Sequence, residues 1–366
     1  MRILRMVNDD ITILGGNIAG CTAAILLAER GYDITIYEKK IWDKPCGGLL
    51  PNEYVRWFES KDVFFDDRYV AKRYLLMVNY RVYEKTIDNP LQSESGLSRL
   101  EIQEKLIKRV KELGVGVKTE KVTLERADEL AQNSALTIVA TGHNRLARTL
   151  LGRQYKIQEN SVCRVAEFPP DEQLDFFLYA HDTYSTASGY GWVFAKQGRV
   201  NIGLLNFRQK SPISKRFDKF IDMLETKLNL ELKDNMKKGK VFGAKLPTDV
   251  NALEKPMFNE RNGNLYVGTG DSIGVVNPAI GAGLVNSVKS AEELVKCFNS
   301  DGTYDPIKFQ RNMQLKFADE WKASRRARRY MALAMRNGLT RTISRIGLRL
   351  FGGVVINRIW GANPLD

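Results

Sequence analysis

The spacing of the hydrophobic residues changes twice near the start of the chain and predicts a strand, a helix and a second strand. Ile11 to Leu14 is a short apolar run typical of a buried strand. Apolar residues then recur at helical spacing at Ala24 and Leu27, and Gly31 stands where this helix should end. Asp33 to Tyr37 has the pattern of the second strand. The chain therefore begins with a strand–turn–helix–strand unit.

Strand-like segments dominate the middle of the chain. Tyr69 to Tyr83 and Ser161 to Gly203 are rich in Tyr, Phe and Val, as expected for a half-buried sheet. Asn264 to Val267 is a further short strand, and a helix begins at Leu284. We predict an α/β fold with an α+β insert: a Rossmann-like dinucleotide-binding domain, an inserted antiparallel-sheet substrate domain and a helical C-terminal region. The predicted boundaries are 1–65, 96–155 and 258–298 for the discontinuous dinucleotide-binding domain, 66–95 and 156–257 for the sheet domain, and 299–366 for the basic helical C-terminal region.

The turn after the first strand carries a phosphate-binding glycine pattern. Gly15, Asn17 and Gly20 occupy the positions of G-x-G-x-x-G, and Glu38 follows about 20 positions on, as a dinucleotide site requires. Gly15 permits the tight turn, Gly20 lets helix and strand pack closely, and the N–H groups at the helix start bind a pyrophosphate. Asn17 tolerates a positive φ, and its amide can donate to phosphate. Glu38 can accept hydrogen bonds from the ribose hydroxyls. The residues predicted to hold this part of the nucleotide are Gly15, Asn17, Ala19, Gly20, Glu38 and Lys39.

A second glycine-bearing segment, 268–295, favours FAD over NAD. Its first glycines lack the spacing of another nucleotide-binding turn, and no acidic ribose partner follows. Asp271 instead stands at a strand end, where a carboxylate can bind a ribityl hydroxyl. Gly281 and Gly283 open a helix whose positive end would stabilise the anionic edge of a reduced flavin. The residues predicted to bind the flavin here are Gly270, Asp271, Gly281, Gly283 and Leu284.

Composition excludes several classes of protein. With 43% hydrophobic and 27% charged residues, the chain can bury a core and is not disordered. Four cysteines without a CxxC pair argue against a structural zinc site and a disulfide framework. Two histidines exclude a multi-histidine metal site and argue against a Ser-His-Asp hydrolase. We expect no metal. A net charge of +13 predicts an anionic partner or surface.

Four further segments follow the glycine motif. They are KPCGGLLP (44–51), Arg99 before a predicted helix, IVATGHNRLAR (138–148) and GYGWVFAKQGRVNIGL (189–204). Together with the two glycine-bearing segments, they resemble the geranylgeranyl reductase family, within the larger group of flavoproteins similar to p-hydroxybenzoate hydroxylase. The resemblance runs from about residue 11 to residue 295 and implies an FAD-binding domain with the Cys-Gly-Gly loop along the isoalloxazine ring. The cofactor-binding residues that it adds are Cys46, Gly47, Gly48, Arg99, Val122, Ala140, Thr141 and Gly142.

Two departures from the family pattern affect the functional interpretation. Thr141 stands where related hydroxylases keep an aspartate that helps to hold both FAD and the pyridine nucleotide. This argues against an NADPH-fed monooxygenase and is tolerable in a reductase. Ala195 replaces the proline of the Tyr-x-Trp-x-Phe-Pro signature, which leaves the shape of the substrate tunnel open.

The candidate catalytic residues are Cys46, Tyr190 and Trp192. The resemblance puts Cys46 beside the flavin; the alternative is a small residue that lets the loop approach the ring. Tyr190 and Trp192 would line an apolar channel and orient a prenyl chain, or else are large strand residues of a core. We expect His143 and His181 to be structural.

The sequence thus predicts an FAD-dependent reductase that saturates carbon–carbon double bonds of a geranylgeranyl-type isoprenoid on a membrane lipid or quinone. The alternative is a flavin-dependent monooxygenase or halogenase acting on a small aromatic, although the halogenase Trp-x-Trp-x-Ile-Pro signature is missing. A third class is a flavoprotein that passes electrons to a membrane quinone, for which no iron–sulfur cysteine cluster is present. The electron donor stays open between ferredoxin, a deazaflavin and NAD(P)H.

The end of the chain is strongly basic. Residues 315–366 hold 11 Lys and Arg against 3 acids. The apolar residues Leu339, Ile343, Ile346 and Leu350 share one helical face, and Arg341, Arg345 and Arg349 form a stripe. This helix either lies on an anionic membrane surface or packs on the protein core. No nucleic-acid-binding pattern is evident.

The apolar stretch Ile11 to Ala28 lacks the basic flank of a signal peptide and is interrupted by glycines. We therefore expect a soluble cytoplasmic protein, with peripheral contact at the inner face of the membrane as the open alternative.

Overall fold

The computed structural model describes residues 10–78, 81–87, 93–153, 161–181, 189–207, 212–300, 302–334, 342 and 363–364. The strands are β1 (Asp10–Leu14), β2 (Asp33–Glu38), β3 (Leu49–Pro51), β4 (Tyr69–Val70), β5 (Arg73–Val78), β6 (Arg81–Thr86), β7 (Glu94–Gly96), β8 (Gly116–Thr119), β9 (Leu136–Val139), β10 (Ser161–Phe168), β11 (Phe176–His181), β12 (Gly189–Lys196), β13 (Arg199–Asn206), β14 (Lys240–Leu246), β15 (Phe258–Arg261), β16 (Asn264–Gly268) and β17 (Asn363–Pro364). The helices are α1 (Ile18–Ala28), α2 (Asn52–Glu59), α3 (Arg99–Glu112), α4 (Leu124–Gln132), α5 (Arg145–Leu150), α6 (Ile213–Leu228), α7 (Leu232–Lys237), α8 (Leu284–Val295), α9 (Pro306–Lys316) and α10 (Ala318–Ala334).

The first layer is a six-stranded sheet in the order β15-β16-β9-β1-β2-β8. Its strands pair in parallel except at the edge, where β15 is antiparallel to β16. Ile11, Ile13 and Leu14 are almost fully buried, as the continuous apolar run predicts for a central parallel strand. Helices α1, α3 and α8 pack together on this layer. The predicted Rossmann-like unit is therefore present and includes the late strand β16.

The second layer is an eight-stranded sheet in the order β14-β10-β13-β12-β11-β5-β6-β17. All its pairs are antiparallel except β5 with β11. The predicted antiparallel-sheet insert is therefore present, with one parallel pair that the sequence did not predict. The chain leaves β6, passes through the first layer and returns, so β11 can enter alongside β5 in the same direction.

The two faces of the second sheet have different partners. Val193 on β12 packs with Phe217, Phe220 and Leu224 of α6 on one face. Its neighbours Trp192 and Phe194 point to the other face, because successive strand residues alternate sides. This second face forms one wall of the cavity described below.

A small three-stranded sheet, in the order β3-β7-β4, joins the two layers. Pro51 on β3 pairs with Glu94 on β7, and Tyr69 on β4 pairs with Gly96. The small sheet therefore brings residues just after the Cys-Gly-Gly loop next to the segment that leads into α3. Two segments that are far apart in sequence are thereby held at one site.

The C-terminal helices α9 and α10 pack on the first layer. Phe309, Met313, Phe317 and Trp321 are buried in its core. The amphipathic segment with Leu339, Ile343, Ile346, Leu350 and the Arg341, Arg345 and Arg349 stripe lies outside the described residues. Among the described helices, none has the length and hydropathy needed to cross a bilayer.

Candidate flavin and substrate site

The glycine turn between β1 and α1 is built for close backbone approach. Gly15 has φ +106°, and a Cβ there would lie 2.5 Å from the carbonyl oxygen of Ala140. A Cβ at Gly20 would overlap the carbonyl oxygen of Gly15. Glu38, at the end of β2, accepts from the backbone N–H of Gly16 at 2.8 Å. The acidic residue predicted as the ribose partner therefore stands beside the phosphate-binding turn.

Asn17 acts through its side chain and not through its backbone. Its φ of −114° is extended, so the suggested positive φ is wrong. Asn17 is instead the N-cap of α1: its Oδ1 accepts from the N–H of Ile18 at 2.9 Å and also from Nη2 of Arg99. Arg99 is buried and is the first residue of α3, with Ser98 as the cap.

Two buried donors at this point have no partner among the described residues. They are Nδ2 of Asn17 and Nη1 of Arg99. An unpaired buried donor costs about 1–3 kcal/mol, more when it is charged, so native structures rarely leave one unused. Both donors stand at the start of helices, where backbone N–H groups also favour an anion. The arrangement fits a bound pyrophosphate.

Lys44 adds a second cation to this part of the site. Burial lowers the pKa of Lys44, and the charge of Arg99 lowers it further, while Glu38 and Asp271 oppose this effect. Burial raises the pKa of Asp271, although Lys44 and Arg99 act against it. The sequence had not marked Lys44 as a binding residue, although it begins the KPCGGLLP segment. An anionic ligand would offset the electrostatic repulsion between Lys44 and Arg99.

The second glycine-bearing segment closes the other side of the site. Asp271 lies in a short 3₁₀ turn, Gly270–Ile273, three residues after β16 and not at the strand end itself. Gly270 has φ +62°, and a Cβ there would lie 2.7 Å from the Cβ of Ala19. Gly283 is the N-cap of α8, and a Cβ on it would lie 3.4 Å from Oδ1 of Asp271. The two glycine segments thus meet, as predicted.

The Cys-Gly-Gly loop is fixed from beneath by buried polar groups. Asn201 on β13 donates from Nδ2 to the carbonyl oxygen of Cys46 at 3.0 Å and to Oε2 of Glu167 at 2.7 Å. Lys196 donates from Nζ to the same Glu167 oxygen at 2.8 Å. Gly48 has φ +72°, and a Cβ there would lie 3.0 Å from Nζ of Lys196. The loop therefore rests on a buried ion pair that sequence motifs did not reveal.

A cavity of about 920 Å³ opens between this loop and the second sheet. Cys46, Gly47 and Gly48 line one end together with the turn 279–285 that leads into α8. The remaining walls are apolar for the most part and come from the second face of the eight-stranded sheet. The size and the apolar lining fit a hydrophobic ligand.

Tyr190 and Trp192 both line this cavity, as predicted. Tyr190 donates from its hydroxyl to the carbonyl oxygen of Ile280 at 2.6 Å, and Trp192 donates from Nε1 to Oδ1 of Asn201 at 2.8 Å. Their ring centroids are 5.7 Å apart, and Trp192 stacks on Phe194 at 6.0 Å with an interplanar angle of 24°. These contacts fix both rings as cavity walls.

His181, one of the two histidines expected to be structural, lies on a strand. It ends β11 and lines the cavity, with Nδ1 3.0 Å from the carbonyl oxygen of Gly189. Glu94 and Lys85 also line the cavity and were not identified from the sequence. Neither belongs to a motif, because each reaches the site through strand pairing and not through local spacing. His143 is outside the cavity lining, and burial together with Arg148 and Arg153 lowers its pKa to about 4.

The remaining predicted cofactor residues lie around the first layer. Ala140 is buried after β9, Gly142 has φ +79° and donates its N–H to Oγ of Ser272 at 3.0 Å, and Thr141 is half-buried between them. Val122 packs partly against the core just before α4. Lys39 is exposed, with Nζ 5.6 Å from the ring centroid of Trp42. Their roles in binding stay predictions.

Comparison with known proteins identifies reductases among the relatives. Residues 13–52 match the family described as NAD(P)-binding Rossmann-like domain. The chain is 23% identical to a digeranylgeranylglycerophospholipid reductase of Sulfolobus acidocaldarius over 336 residues, which are 81% of this chain and 71% of that one. It is 25% identical to a geranylgeranyl diphosphate reductase of Rhodobacter capsulatus over 298 residues, 75% of this chain and 71% of the relative.

Solved structures show the same fold. A geranylgeranyl bacteriochlorophyll reductase-like protein from Thermoplasma acidophilum aligns with a TM-score of 0.65 at 18% identity, over 87% of each chain. A tryptophan 6-halogenase from Streptomyces toxytricini aligns with a TM-score of 0.66 at 14% identity, over 91% of this chain and 81% of that one. The relatives confirm the resemblance to geranylgeranyl reductases and the prediction of an oxidoreductase, and the structures confirm the fold class.

Proposed function

We propose that the protein is an FAD-dependent reductase that saturates carbon–carbon double bonds of a geranylgeranyl-type isoprenoid. The observation that carries this proposal is the apolar cavity of about 920 Å³ that starts at the Cys46–Gly48 loop and the turn before α8. A prenyl chain needs a long apolar wall on one side and a redox group at its end. Reductase names among the relatives support the same chemistry.

The residues of the site suit FAD. Asn17 and Arg99 offer unpaired donors to the pyrophosphate, and Glu38 and Asp271 offer carboxylates to the ribose and the ribityl chain. A nicotinamide nucleotide would use only the first of the two glycine segments. FAD would use both, since they meet beside the cavity. When bound and reduced, FAD supplies a hydride to the substrate carbon.

The chain's own residues would orient the substrate and exclude water. Trp192 and Phe194 present a stacked aromatic wall, and Tyr190 closes the cavity towards the turn 279–285 through its hydrogen bond to Ile280. Cys46 lines the end of the cavity where the loop lies, with its Sγ 3.4 Å from the N–H of Gly48. The small loop residues leave room for a flat ring beside the substrate.

Contact with an anionic membrane surface is part of the proposal. On α10, the cationic residues Lys322, Arg326 and Arg329 are exposed, and Tyr330 is exposed by 71%. Ile280, at the cavity, is exposed by 54%. Cations beside exposed apolar side chains are typical of proteins that lie on anionic lipid. A prenyl substrate held in that lipid would meet the cavity directly. The electron donor, whether ferredoxin, a deazaflavin or NAD(P)H, would have to reach the same flavin.

Product analysis tests the proposed function. The protein, reconstituted with FAD and reduced without oxygen, should be reoxidised by geranylgeranyl lipids, and mass spectrometry should show added hydrogens. Val165→Trp, which fills the cavity, should abolish this turnover, whereas Val241→Trp, at an exposed position of the same sheet, should not. Incorporation of oxygen or halide into an aromatic substrate, with no change in the lipids, would favour the monooxygenase or halogenase alternative.

A further inference from the structure

Glu94 is the only carboxylate among the described residues that line the cavity. It is the first residue of β7 and pairs with Pro51 of β3, directly after the Cys-Gly-Gly loop. The small sheet thus fixes the Glu94 backbone relative to the loop that would lie along the flavin. Its side chain is half-buried, and the cavity is the space it faces.

Two tyrosines hold Glu94 in place. Tyr179 on β11 donates from its hydroxyl to Oε2 of Glu94 at 2.8 Å, and the backbone N–H of Glu94 donates to the hydroxyl oxygen of Tyr74 at 2.7 Å. The Tyr74 ring packs against Phe177 with centroids 5.6 Å apart, and the Tyr179 ring packs against Phe194 at 5.2 Å. The second carboxyl oxygen, Oε1, receives no hydrogen bond from the described residues. One oxygen is therefore anchored, and the other is available to a ligand.

Within the described part of the chain, this carboxyl group has no cationic partner. Among the described residues, no lysine or arginine forms an ion pair with Glu94, in contrast to Glu167 beneath the loop. Burial raises the pKa of Glu94, and the hydrogen bond from Tyr179 lowers it by less. The environment therefore shifts the equilibrium towards the neutral acid, compared with an exposed glutamate.

The buried thiol of Cys163 and the three buried phenols at the cavity hold their protons tightly. Burial raises the pKa of Cys163 to about 12 and raises the pKa values of Tyr74, Tyr179 and Tyr190 above the usual value for a phenol. The remaining titratable groups in the lining are Cys46, Lys85 and His181. A carboxyl with a raised pKa is the better proton donor near neutral pH than a buried phenol or a buried thiol.

We propose that Glu94 is the general acid of the reduction, delivering its proton from a carboxyl oxygen to the alkene carbon opposite the one that receives hydride. This inference rests on the proposed function. The electron pair of the double bond forms the new C–H bond to the proton while the Glu94 O–H bond breaks. The other carbon gains hydride from the reduced flavin, which is oxidised by two electrons. The Glu94 carboxylate then regains a proton from water at the cavity mouth.

The pH dependence of three variants separates this role from a structural one. Glu94→Gln keeps the shape and still accepts from Tyr179, but it should lower the rate of alkene reduction at least about 100-fold, as loss of a general acid does. The wild-type rate should fall as pH rises through the Glu94 pKa. Tyr179→Phe should move that fall to higher pH, because the lost hydrogen bond stabilised the charged form. Glu260→Gln, at an exposed position on the edge strand β15, is the matched control and should change neither rate nor profile.

The stability of the apoprotein, measured without flavin, tests whether folding raises the pKa of the Glu94 carboxyl. A raised folded pKa means that the Glu94 contribution to stability is complete below the unfolded value, about 4.3, and is lost as pH rises through the folded value. In urea unfolding of the apoprotein, the stability of Glu94→Gln relative to wild type should therefore increase as pH rises from about 4.3 through the folded value, and then level off. A difference that stays flat with pH would overturn the inference that Glu94 is held as the acid.

The outcomes distinguish failure of the Glu94 inference from failure of the proposed function on which it rests. If the wild type reduces a geranylgeranyl lipid and Glu94→Gln does so at an unchanged rate with an unchanged pH profile, the acid role is overturned and the proposed function stands. If the wild type reduces no prenyl substrate, the proposed function falls and the catalytic role falls with it. A rate loss in Glu94→Gln with retained lipid binding and a shifted profile in Tyr179→Phe would support the proposal.

Discussion

The side-chain amide of Asn201 donates from Nδ2 to the backbone carbonyl oxygen of Cys46 at 3.0 Å. The same side chain accepts from Nε1 of Trp192 at 2.8 Å. One fully buried residue on β13 therefore contacts both the Cys-Gly-Gly loop, beside which we propose that the flavin binds, and the aromatic wall of the cavity. The Asn201 amide thus links the loop to the aromatic wall through two hydrogen bonds.

Replacing Asn201 should consequently loosen both parts of the site. Asn201→Leu leaves the Trp192 N–H and the Cys46 carbonyl without partners, and each unsatisfied buried group costs about 1–3 kcal/mol. We expect the free energy of unfolding to fall by roughly 3 kcal/mol and FAD binding to weaken. Urea unfolding followed by far-UV circular dichroism measures the first effect. Asn133→Leu, at an exposed position at the end of α4, should leave stability nearly unchanged; equal losses in the two variants would contradict this role.

Arg99 should contribute more to cofactor affinity than to stability. Its Nη1 has no hydrogen-bond partner among the residues that the structure describes, so a bound pyrophosphate would gain a charge-assisted hydrogen bond there. A hydrogen bond to a charged group contributes about 1.5–3 kcal/mol, so Arg99→Leu should weaken FAD binding about 10- to 100-fold. Flavin fluorescence quenching gives the dissociation constant. Arg311→Leu, exposed on α9, is the control. An unchanged constant in Arg99→Leu would remove the residue from the site.

The ion pair beneath the Cys-Gly-Gly loop should make stability depend on acidity. Burial alone would raise the pKa of Glu167, but Lys196 and the hydrogen bond from Asn201 outweigh it and lower the pKa below its usual 4.5. A lowered folded pKa contributes stability that is present above the unfolded value and is lost as pH falls through the folded one. At neutral pH, Glu167→Gln should cost about 3–5 kcal/mol because it leaves the Lys196 ammonium buried without a counter-charge.

Measuring the stability difference over a range of pH tests this prediction. The stability difference between wild type and Glu167→Gln should be constant from neutral pH down to about 4.5 and should shrink below it. Unfolding curves at several pH values measure the difference. Combining the change with Lys196→Met should recover part of the loss, since no buried charge then remains. A difference that does not change below pH 4.5 would show that folding does not lower the pKa of Glu167.

Local spacing made the dinucleotide turn predictable. Gly15, Gly20 and Glu38 lie within one strand–helix–strand unit, where a short motif fixes both the backbone and the chemistry. The second segment was predictable for a related reason, because Asp271 and Gly283 both lie in the short connection between β16 and α8. Tyr190 and Trp192 alternate along one strand, so both reach the same face.

Residues that reach the site only because particular strands pair were not predicted from the sequence. Glu94 faces the cavity because β7 pairs with β3, and Asn201 meets Cys46 because β13 lies beneath the loop. Neither pairing leaves a local signal in the sequence. Lys196 reads as an ordinary surface lysine at a strand end, yet it is 3% exposed and paired. The backbone of Asn17 was misjudged because a middle glycine suggested a positive φ, whereas capping α1 requires an extended conformation.

The exposed face of α10 offers a test of membrane contact within the described part of the chain. Lys322, Arg326 and Arg329 are exposed along one side of the helix, near Tyr330. A lysine or arginine close to an anionic bilayer contributes about 1 kcal/mol of attraction. Changing all three to Glu reverses the local charge, so binding to phosphatidylserine vesicles in a sedimentation assay should fall by at least about 100-fold.

The matched control carries the same change in net charge elsewhere. Lys111, Lys121 and Lys240 are exposed on other surfaces, and changing them to Glu should weaken binding far less if α10 is the contact surface. Because attraction between exposed charges is screened, wild-type binding should also fall as salt rises from 0.05 to about 0.5 M. Equal losses in the two triple variants would mean that overall charge, and not α10, governs the attraction. Wild-type binding that is insensitive to salt and equal on neutral vesicles would reject an electrostatic contact altogether.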